Sequence, residues 1–216
     1  EGAGALGAPG KAVPEMDTGT LNARWAAALA AGFVAAGVRR AVISPGSRST
    51  PLALAFLRQP GLSCEVAVDE RSAAFFALGL ARAEGVPPLV LATSGTAVAN
   101  WLPAIAEADS AALPVLFVSA DRPPELHGCG ANQTILQAGM FAPYVRASHA
   151  LETPAGDVDP HYPAALAARA FDQACWPLPG PVHLNQPFRE PLLPPIETSE
   201  ALSPAMAAAP VVVSRP

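Results

Sequence analysis

The feature that most restricts how this chain can fold is a stretch, residues 66–81, in which a short apolar segment turns into a helix. Val66 and Val68 are typical of the end of a short buried strand. Asp69 then stands where a helix N-cap belongs, and Glu70 falls in the first helical turn. The pattern predicts a carboxylate held at a strand-to-helix junction, which is the edge where open α/β sheets bind their ligands.

An acidic residue at such a junction also has an ordinary explanation. Acidic side chains are common in the first turn of any helix because they complement the helix dipole, so Glu70 alone does not establish a ligand site. The helix behind it has apolar residues at helical spacing, which we expect to face a core. The residues predicted to be buried in this helix are Ala73, Phe76, Ala77 and Leu80, and the other aromatic residues predicted in the core are Trp25, Phe33 and Phe75.

The composition is that of a folded protein with little affinity for polyanions. Hydrophobic residues make up 51% of the 216 residues and charged residues 14%, which is enough apolar material for one sizeable domain with tails. Thirteen basic residues face eighteen acidic ones. The resulting net charge of −5 argues against a general binder of nucleic acid or of anionic membranes.

Cysteine usage and hydropathy together predict a cytoplasmic location. The three cysteines are scattered and odd in number, which suits reduced thiols better than a disulfide framework. The longest apolar run, residues 25–38, is shorter than the roughly 20 residues that a membrane span needs. No basic segment of the kind found in signal peptides precedes it. We therefore expect a cytoplasmic protein without an integral membrane segment.

Composition shifts divide the chain into a core and two tails. Residues 1–20 are rich in Gly, Ala and Pro and are predicted to be a flexible leader, whereas residues 194–216 are typical of a linker. Between them, residues 21–193 alternate apolar strand patterns with helical ones, which predicts an α/β fold with a doubly wound, mainly parallel six-stranded sheet flanked by helices. The predicted strands lie at or near 41–44, 66–68, 89–93, 115–118, 144–147 and 181–185, and the predicted helices at 25–36, 50–57, from Glu70 onward, 97–108 and 164–175.

Several predicted strands end in small or polar residues. Because the carboxyl ends of parallel strands meet at one edge of a sheet, these loops together predict a ligand site there. The first loop combines glycine, hydroxyl groups and Arg48 directly before a helix, which suits an anion. A lone arginine is also commonly a solvated surface residue, so this second interpretation of Arg48 stays open. The loops are residues 44–50, 69–71, 93–96 and 119–126, followed by residues 128–134.

Short catalytic signatures do not explain these loops. The first loop matches neither GxGxxG nor a Walker A sequence, and the chain has no GxSxG or HExxH pattern and no paired metal-ligand spacing. We therefore predict no metal-binding residue in this chain. The histidines are dispersed, and each is predicted to be structural rather than a ligand or a base: His127, His149, His161 and His183.

The loop sequences resemble one enzyme family. The strings are ISPGSRSTPL (43–52), VDERS (68–72), LATSGTAVAN (91–100), SADRPPEL (119–126) and GCGANQT (128–134). They resemble the thiamine-diphosphate enzymes, and among these the menaquinone-pathway synthases that make 2-succinyl-5-enolpyruvyl-6-hydroxy-3-cyclohexene-1-carboxylate. The resemblance covers about residues 21–193, and its most particular strings are TSGTAVAN and ADRPPEL…GANQT.

The resemblance implies a cofactor and a reaction. Enzymes of this family use thiamine diphosphate to decarboxylate 2-oxoglutarate and add the resulting succinyl-carbanion equivalent to isochorismate. Glu70 matches the family carboxylate that hydrogen-bonds the N1′ nitrogen of the aminopyrimidine and so activates the cofactor. Such a bond is strong in a largely dry site. The resemblance therefore makes Glu70 both a catalytic and a cofactor-binding residue.

The resemblance also assigns residues to the substrate side of the site. Ser47 matches a position near the cofactor, Gln133 a catalytic position, and Arg48, Arg122 and Asn132 match substrate-binding positions. Both substrates are dianions, and arginines bind carboxylates in bidentate fashion. As surface arginines, Arg48 and Arg122 are expected to contribute little to folding stability.

One part of the family pattern does not occur in these 216 residues. Family members carry a later module with a Gly-Asp-Gly motif that binds Mg²⁺ or Mn²⁺ and the diphosphate, and residues 156–159 lack both its glycine pattern and its strand context. The chain therefore resembles the pyrimidine-binding module alone. In the family the two modules meet across a subunit interface, which implies a homodimer or a tetramer.

Two other interpretations remain open at this point. The chain could be a non-catalytic α/β binding or regulatory domain that kept the fold and lost the reaction. It could also belong to another thiamine-diphosphate enzyme, such as a relative of acetolactate synthase. A Gly-Asp-Gly module downstream would favour an enzyme, and activity with isochorismate would separate the two enzymes.

Overall fold

A computed structural model describes residues 16–195, which form a sheet of six parallel strands with helices on both faces. The strand order is β2-β1-β3-β4-β6-β5, and every paired strand is parallel. The predicted fold class is thus confirmed. The strands are β1 (Arg40–Ile43), β2 (Ser63–Val66), β3 (Leu89–Ala92), β4 (Val115–Asp121), β5 (Ala147–Ala150) and β6 (Pro181–Pro187).

The helices form two layers, one on each face of the sheet. The layer made by α1, α2 and α6 packs on one side of the sheet around Phe33 and Phe56, and the layer made by α3, α4 and α5 packs on the other around Trp101. The helices are α1 (Thr18–Ala36), α2 (Thr50–Arg58), α3 (Glu70–Glu84), α4 (Thr96–Ala99), α5 (Leu102–Ser110) and α6 (Tyr162–Cys175), with a short 3₁₀ turn at Pro124–Leu126.

The strand order creates a topological switch point between β1 and β3. The chain leaves β1 toward β2 on one side and then returns to β3 on the other side of β1. Loops that leave a doubly wound sheet in opposite directions open a crevice at the carboxyl ends of those strands. The loops after β1 (residues 44–49) and after β3 (residues 93–95), which we call the switch-point loops, lie on either side of this crevice.

Two predicted buried segments are exposed in the structure. β2 is an edge strand that pairs only with β1, so Val66 and Val68 are 62% and 83% exposed and the prediction of a buried strand was wrong. On α3 the residues that pack inward are alanines, including Ala73 and Ala77, whereas Phe76 is 50% exposed. The apolar face of α3 is therefore offset from the predicted one. Phe75 is exposed as well and Leu80 is half-buried, while Trp25 and Phe33 are buried as predicted.

Two predicted elements have different bounds. The helix predicted at 97–108 is broken into α4 and α5, because Pro103 cannot continue the hydrogen-bond ladder from the preceding turn and instead stands at the start of α5. The strand predicted at 144–147 begins at Ala147, because Tyr144 closes a turn through its N–H to the Phe141 carbonyl, at 2.9 Å. The tails lie largely outside the described residues, which exclude 1–15 and 196–216.

No helix within residues 16–195 is long and apolar enough to cross a membrane.

Candidate active site

The two switch-point loops touch each other at the carboxyl edge of the sheet. Gly46 approaches Thr93 so closely that a Cβ on Gly46 would collide with the Thr93 side chain. Ser44 extends the pairing of the strands into the loop, because its N–H donates to the Leu91 carbonyl at 2.8 Å. Glycine at position 46 is thus required for the close approach of the two loops. Their contact fixes the position of both loops at the base of the crevice.

Glu70 is held at this same edge by the first turn of α3. Asp69 caps the helix by accepting a hydrogen bond from the Ser72 N–H at 2.7 Å, and hydrogen bonding to the Ser72 side chain and N–H lowers the pKa of Asp69. The Glu70 carboxylate is half-buried and forms no hydrogen bond or ion pair with any of residues 16–195. Both the junction and the N-cap were predicted. An uncommitted carboxylate fits a protonated ring nitrogen such as the pyrimidine N1′ of thiamine diphosphate.

Ser94 brings together Arg122 and Gln133. Its hydroxyl donates to the Gln133 carbonyl at 3.1 Å and accepts a short hydrogen bond from the Arg122 guanidinium. The Gln133 side chain donates in turn to the Ser94 carbonyl at 2.9 Å. Gln133 has a left-handed φ of 53° and lies against Gly95, where a Cβ would stand 2.6 Å from the Gln133 Cγ. The chain is therefore folded tightly enough here to fix both site residues.

Arg48 is not the surface residue that the sequence suggested. Its side chain is 6% exposed, with Nη1 donating to the Phe188 carbonyl at 2.9 Å and Nη2 to Glu190 Oε1 at 2.7 Å. The premise that Arg48 is a surface arginine is wrong, and we now expect its removal to cost stability, because its acceptors would be left without a partner. Arg122 is half-buried, and its pKa is lowered by burial and by the nearby Arg48 charge. Arg48 and Arg122 thus form one cationic cluster.

Ser47 and Asn132 lie at the exposed rim of the site. Neither side chain forms a hydrogen bond within the described residues. Their carbonyl groups are engaged locally: Ser47 accepts from the Thr50 N–H at 3.1 Å, and Asn132 accepts from the Thr134 hydroxyl at 3.2 Å. Arg122 and Gln133 are therefore connected through Ser94, and Arg48 interacts with Arg122 through its charge. Ser47, Asn132 and Glu70 lie at the same edge without a direct bond to these three residues.

A buried glutamine that sequence reasoning missed links the loops from behind. Gln137 is fully buried, and its Oε1 accepts the Gly95 N–H at 2.7 Å. Its Nε2 donates to the Ala120 carbonyl at 3.0 Å and to Asn185 Oδ1 at 2.8 Å. Gln137 thereby ties the switch-point loop after β3 to β4 and β6. No pattern in the sequence around it marks a buried polar residue, since it lies in a segment predicted as loop.

The same network continues to a buried carboxylate. Asn185 donates to Asp121 Oδ2 at 2.7 Å, and the Arg122 N–H donates to Asp121 Oδ1 at 2.7 Å. Asp121 is 1% exposed, and burial raises its pKa although both hydrogen bonds act in the opposite direction. His127 lies 3.6 Å from Asp121 on the solvent side. Asp121 therefore positions the backbone of Arg122.

His183 is the last member of this hydrogen-bond network and lies where the network meets apolar side chains. Ser119 donates its hydroxyl proton to Asn185 Oδ1 at 2.8 Å, which leaves His183 Nε2 as the donor to Ser119, also at 2.8 Å. The ring is fully buried, with its edge or face against Trp101 and Phe141, and burial lowers the pKa of His183 to about 3. A neutral, enclosed imidazole is structural, as predicted for this histidine.

Metal ligands are not gathered in this part of the chain. Among residues 16–195 no group of three or more His, Cys, Asp or Glu side chains is arranged to hold a metal ion.

Comparisons with known proteins agree with this geometry. Three curated relatives carry the name 2-succinyl-5-enolpyruvyl-6-hydroxy-3-cyclohexene-1-carboxylate synthase. The protein from Dechloromonas aromatica is 62% identical over 82% of this chain, that from Chloroflexus aurantiacus 55% over 79%, and that from Geobacillus kaustophilus 50% over 80%. The matched regions cover 33%, 29% and 30% of those proteins, so the chain spans about a third of their length.

The family match falls on the described site. Residues 23–140 match the family described as thiamine pyrophosphate enzyme, N-terminal TPP binding domain, where thiamine pyrophosphate is another name for thiamine diphosphate. That segment contains the switch-point loops, Glu70, the cationic cluster of Arg48 and Arg122, and Gln133. The match covers more than half of the 216 residues, and the parallel sheet with its switch-point crevice is consistent with it. This chain therefore belongs to the thiamine pyrophosphate enzymes, as their N-terminal TPP binding domain.

Proposed function

We propose that this chain is the pyrimidine-binding module of a synthase that decarboxylates 2-oxoglutarate and adds the succinyl group to isochorismate. Residues 21–193, together with the first turn of α1 from Thr18, form the module, and the residues before and after it serve as leader and linker. By "full-length synthase" we mean this chain joined to the remaining modules of such an enzyme. The full-length synthase is cytoplasmic and works as a homodimer or a tetramer.

The single observation that carries the proposal is the uncommitted Glu70 carboxylate at the same sheet edge as the Arg48–Arg122 cluster. Glu70 would accept the hydrogen bond from the aminopyrimidine N1′ and share its proton. When bound, thiamine diphosphate supplies the electron sink that decarboxylation of a 2-oxo acid requires. Ser47 would lie beside the cofactor. The diphosphate and its Mg²⁺ or Mn²⁺ belong to the module that carries the Gly-Asp-Gly motif.

The cationic cluster supports a substrate with carboxylate groups. Arg48 and Arg122 provide guanidinium groups that match carboxylates in planar geometry, and their burial strengthens such a contact. Asn132 offers an unengaged amide at the rim, and Gln133 is fixed by Ser94 next to Arg122. These residues suit two substrates that are both dianions, which is the case for 2-oxoglutarate and isochorismate.

The proposal is tested by Glu70→Gln in the full-length synthase. Glutamine is nearly isosteric but cannot share a proton with N1′, so turnover and the exchange rate of the cofactor C2 proton should each fall by at least about 10²-fold. Folding stability should stay within about 0.5 kcal/mol, because Glu70 makes no hydrogen bond in the described fold. Proton exchange is followed by NMR and turnover by product formation from 2-oxoglutarate and isochorismate.

Glu84→Gln is the matched control, since Glu84 lies at the other end of α3 and pairs with Arg40 at 3.5 Å. It should leave both rates unchanged. Unaltered C2-proton exchange in the Glu70→Gln variant would remove Glu70 from the mechanism. A wild-type protein that condenses two 2-oxo acids but ignores isochorismate would instead point to an acetolactate-synthase-like enzyme, and a wild type without any lyase or transferase activity to a binding domain.

A further inference from the structure

The acceptor that holds Arg48 at its solvent end is a carboxylate of the chain itself. Glu190 Oε1 lies 2.7 Å from Arg48 Nη2, and the Glu190 side chain is 69% exposed while that of Arg48 is 6% exposed. Glu190 follows β6 at the same carboxyl edge as the switch-point loops. A negative group therefore stands at the mouth of the site, on the arginine proposed to bind a substrate carboxylate.

Glu190 engages Nη2, the donor nitrogen at the solvent end of Arg48. Nη1 donates to the Phe188 carbonyl at 2.9 Å, and Nε is buried without a hydrogen-bond partner. An external carboxylate reaches this guanidinium through Nη2, which is the nitrogen that Glu190 occupies. A second carboxylate at Nη2 competes with Glu190 for this nitrogen, and repulsion between the two carboxylates favours Glu190 moving away. Because Glu190 is mostly exposed, it can do so without disrupting the core.

Glu190 acts on the whole cationic cluster rather than on Arg48 alone. The charge of Glu190 raises the pKa of Arg122, against the burial and the Arg48 charge that lower it. The cluster therefore consists of Arg48 and Arg122 with Glu190 in electrostatic reach of both. The charge of Asp121 acts on Arg122 in the same direction as that of Glu190, and within the Arg48–Glu190 pair the carboxylate offsets the charge of one arginine.

We propose that Glu190 is a specificity-determining residue. It competes with the substrate carboxylate for Arg48, and its negative charge offsets one of the two arginine charges of the cluster. This inference rests on the proposed function of the site. Glu190 keeps the guanidinium in place before substrate binds and is displaced by the incoming carboxylate. With this residue in place, the site discriminates against anions of higher charge density such as inorganic phosphate.

The test uses Glu190→Gln and Glu190→Ala in the full-length synthase. Both should lower KM for the substrate whose carboxylate binds Arg48 by roughly 2- to 5-fold, the range that corresponds to an exposed ion pair. The effect falls on KM and not on kcat, because Glu190 does not contact the reacting atoms. The difference between wild type and variant should shrink at high salt, and inorganic phosphate should inhibit the variants more strongly than the wild type.

Glu125→Gln is the matched control. Glu125 also pairs with an arginine, through Oε1 at 2.6 Å and Oε2 at 3.0 Å to Arg189, and it lies near the same edge. Within residues 16–195 its ion pair is with Arg189 and it forms no hydrogen bond or ion pair with Arg48 or Arg122, so its removal should leave KM unchanged. A purely structural Glu190 that only holds the chain after β6 predicts the opposite sign, with a higher KM in both Glu190 variants. A higher or unchanged KM would overturn the proposal.

Failure of this inference can be separated from failure of the proposed function. If the wild-type synthase does not use 2-oxoglutarate and isochorismate, the proposed function is wrong. Competition for Arg48 is then measured directly, by calorimetric titration of succinate into the 216-residue chain. Tighter succinate binding by Glu190→Gln than by wild type supports the inference, and equal or weaker binding contradicts it.

Discussion

His183 shows how a single residue behind the site can set the pH range in which the domain is stable. Its ring is fully buried and neutral, because burial lowers its pKa from 6.5 to about 3. In the unfolded chain the same imidazole takes up a proton near its ordinary pKa of about 6.5. Between these values the unfolded state binds the proton and the folded state does not. Stability is therefore lost as pH falls below 6.5 and continues to fall until about pH 3.

We predict that His183→Gln removes this contribution. The difference in unfolding free energy between wild type and variant should change by about 1.4 kcal/mol per pH unit inside the window, with the wild type losing its relative advantage toward low pH. Urea unfolding between pH 4 and 7.5 measures it. Ser119→Ala is the control, because it removes the hydrogen bond of the ring and keeps its titration, so the wild-type slope should persist.

The effect of Asp121 on folding stability has the opposite pH dependence to that of His183. It cancels when the wild type is compared with the variants. Burial raises its pKa above 3.8, so its ionisation costs stability as pH rises through that region. It is present in the wild type and in both variants. A wild-type slope that survives in His183→Gln would show that another group carries the acid sensitivity.

The site residues differ in how far the sequence could reveal them. Glu70 was accessible because a strand pattern, an N-cap and a helical spacing converge on it. Arg48 was located correctly but its burial was not, because nothing in the loop shows that the chain after β6 folds back onto it. Glu190 follows the last strand, so the rule that ligand sites form at the carboxyl ends of parallel strands could have identified it. Gln137 could not, because only long-range contacts make it a buried residue.

At the scale of elements, the loops of the site are held by buried hydrogen bonds rather than by apolar packing. Gln137 joins the loop after β3 to β4 and β6, and Asn185 carries the same network to the residues after β4. Gln137, Asn185 and Asp121 are all hydrogen-bonded, whereas His183 Nδ1 at the far end of the network is buried without a hydrogen-bond partner. Loss of one member leaves buried groups without partners, and this cost exceeds the value of the bond itself.

We predict that Gln137→Leu destabilises the domain by about 1–3 kcal/mol for each buried group left unsatisfied, of which the Gly95 N–H is the first. Urea unfolding of the chain measures this loss. Gln59→Leu is the control, because Gln59 is half-buried and its side chain donates only to the neighbouring Pro60 carbonyl, at 3.3 Å, so its substitution should stay within about 0.5 kcal/mol. Equal stabilities for the Gln137→Leu variant and the wild type would show that the loops do not depend on this network.

The order and type of the elements could be predicted because strand and helix periodicities alternate regularly along residues 21–193. The misplaced parts have physical causes that lie outside local pattern. β2 is exposed because it lies at the edge of the sheet, although its apolar residues are typical of a buried strand. Pro103 divides a continuous apolar helical pattern into α4 and α5. On α3 small residues pack inward and both phenylalanines face outward, so hydrophobicity alone indicated the wrong face.

For the whole molecule, α3 and the segment around the end of β2 leave large apolar side chains exposed. Phe75, Phe76, Val66 and Val68 are 39%, 50%, 62% and 83% exposed. Clusters of exposed apolar side chains mark association surfaces in soluble proteins. The same α3 carries Glu70 at its first turn, so association on this helix would bring a second chain close to the site.

The last prediction concerns residues 1–216 as an isolated chain. It should associate at least to a dimer and bind thiamine diphosphate with Mg²⁺ only weakly. A hydrogen bond from N1′ to Glu70 contributes about 0.5–3 kcal/mol, depending on charge, whereas micromolar affinity needs about 8 kcal/mol. The diphosphate is the larger source of affinity, and no Gly-Asp-Gly motif occurs in these 216 residues.

Analytical ultracentrifugation and calorimetry measure both properties of this chain. Phe75→Lys together with Phe76→Lys should shift it toward monomer without loss of stability, because both side chains are exposed. Leu178→Lys is the control: this leucine is 55% exposed but precedes β6 at the opposite end of the sheet, so association should persist. A stable wild-type monomer that binds the cofactor with micromolar affinity would show that the pyrimidine end suffices and that α3 is not an association surface.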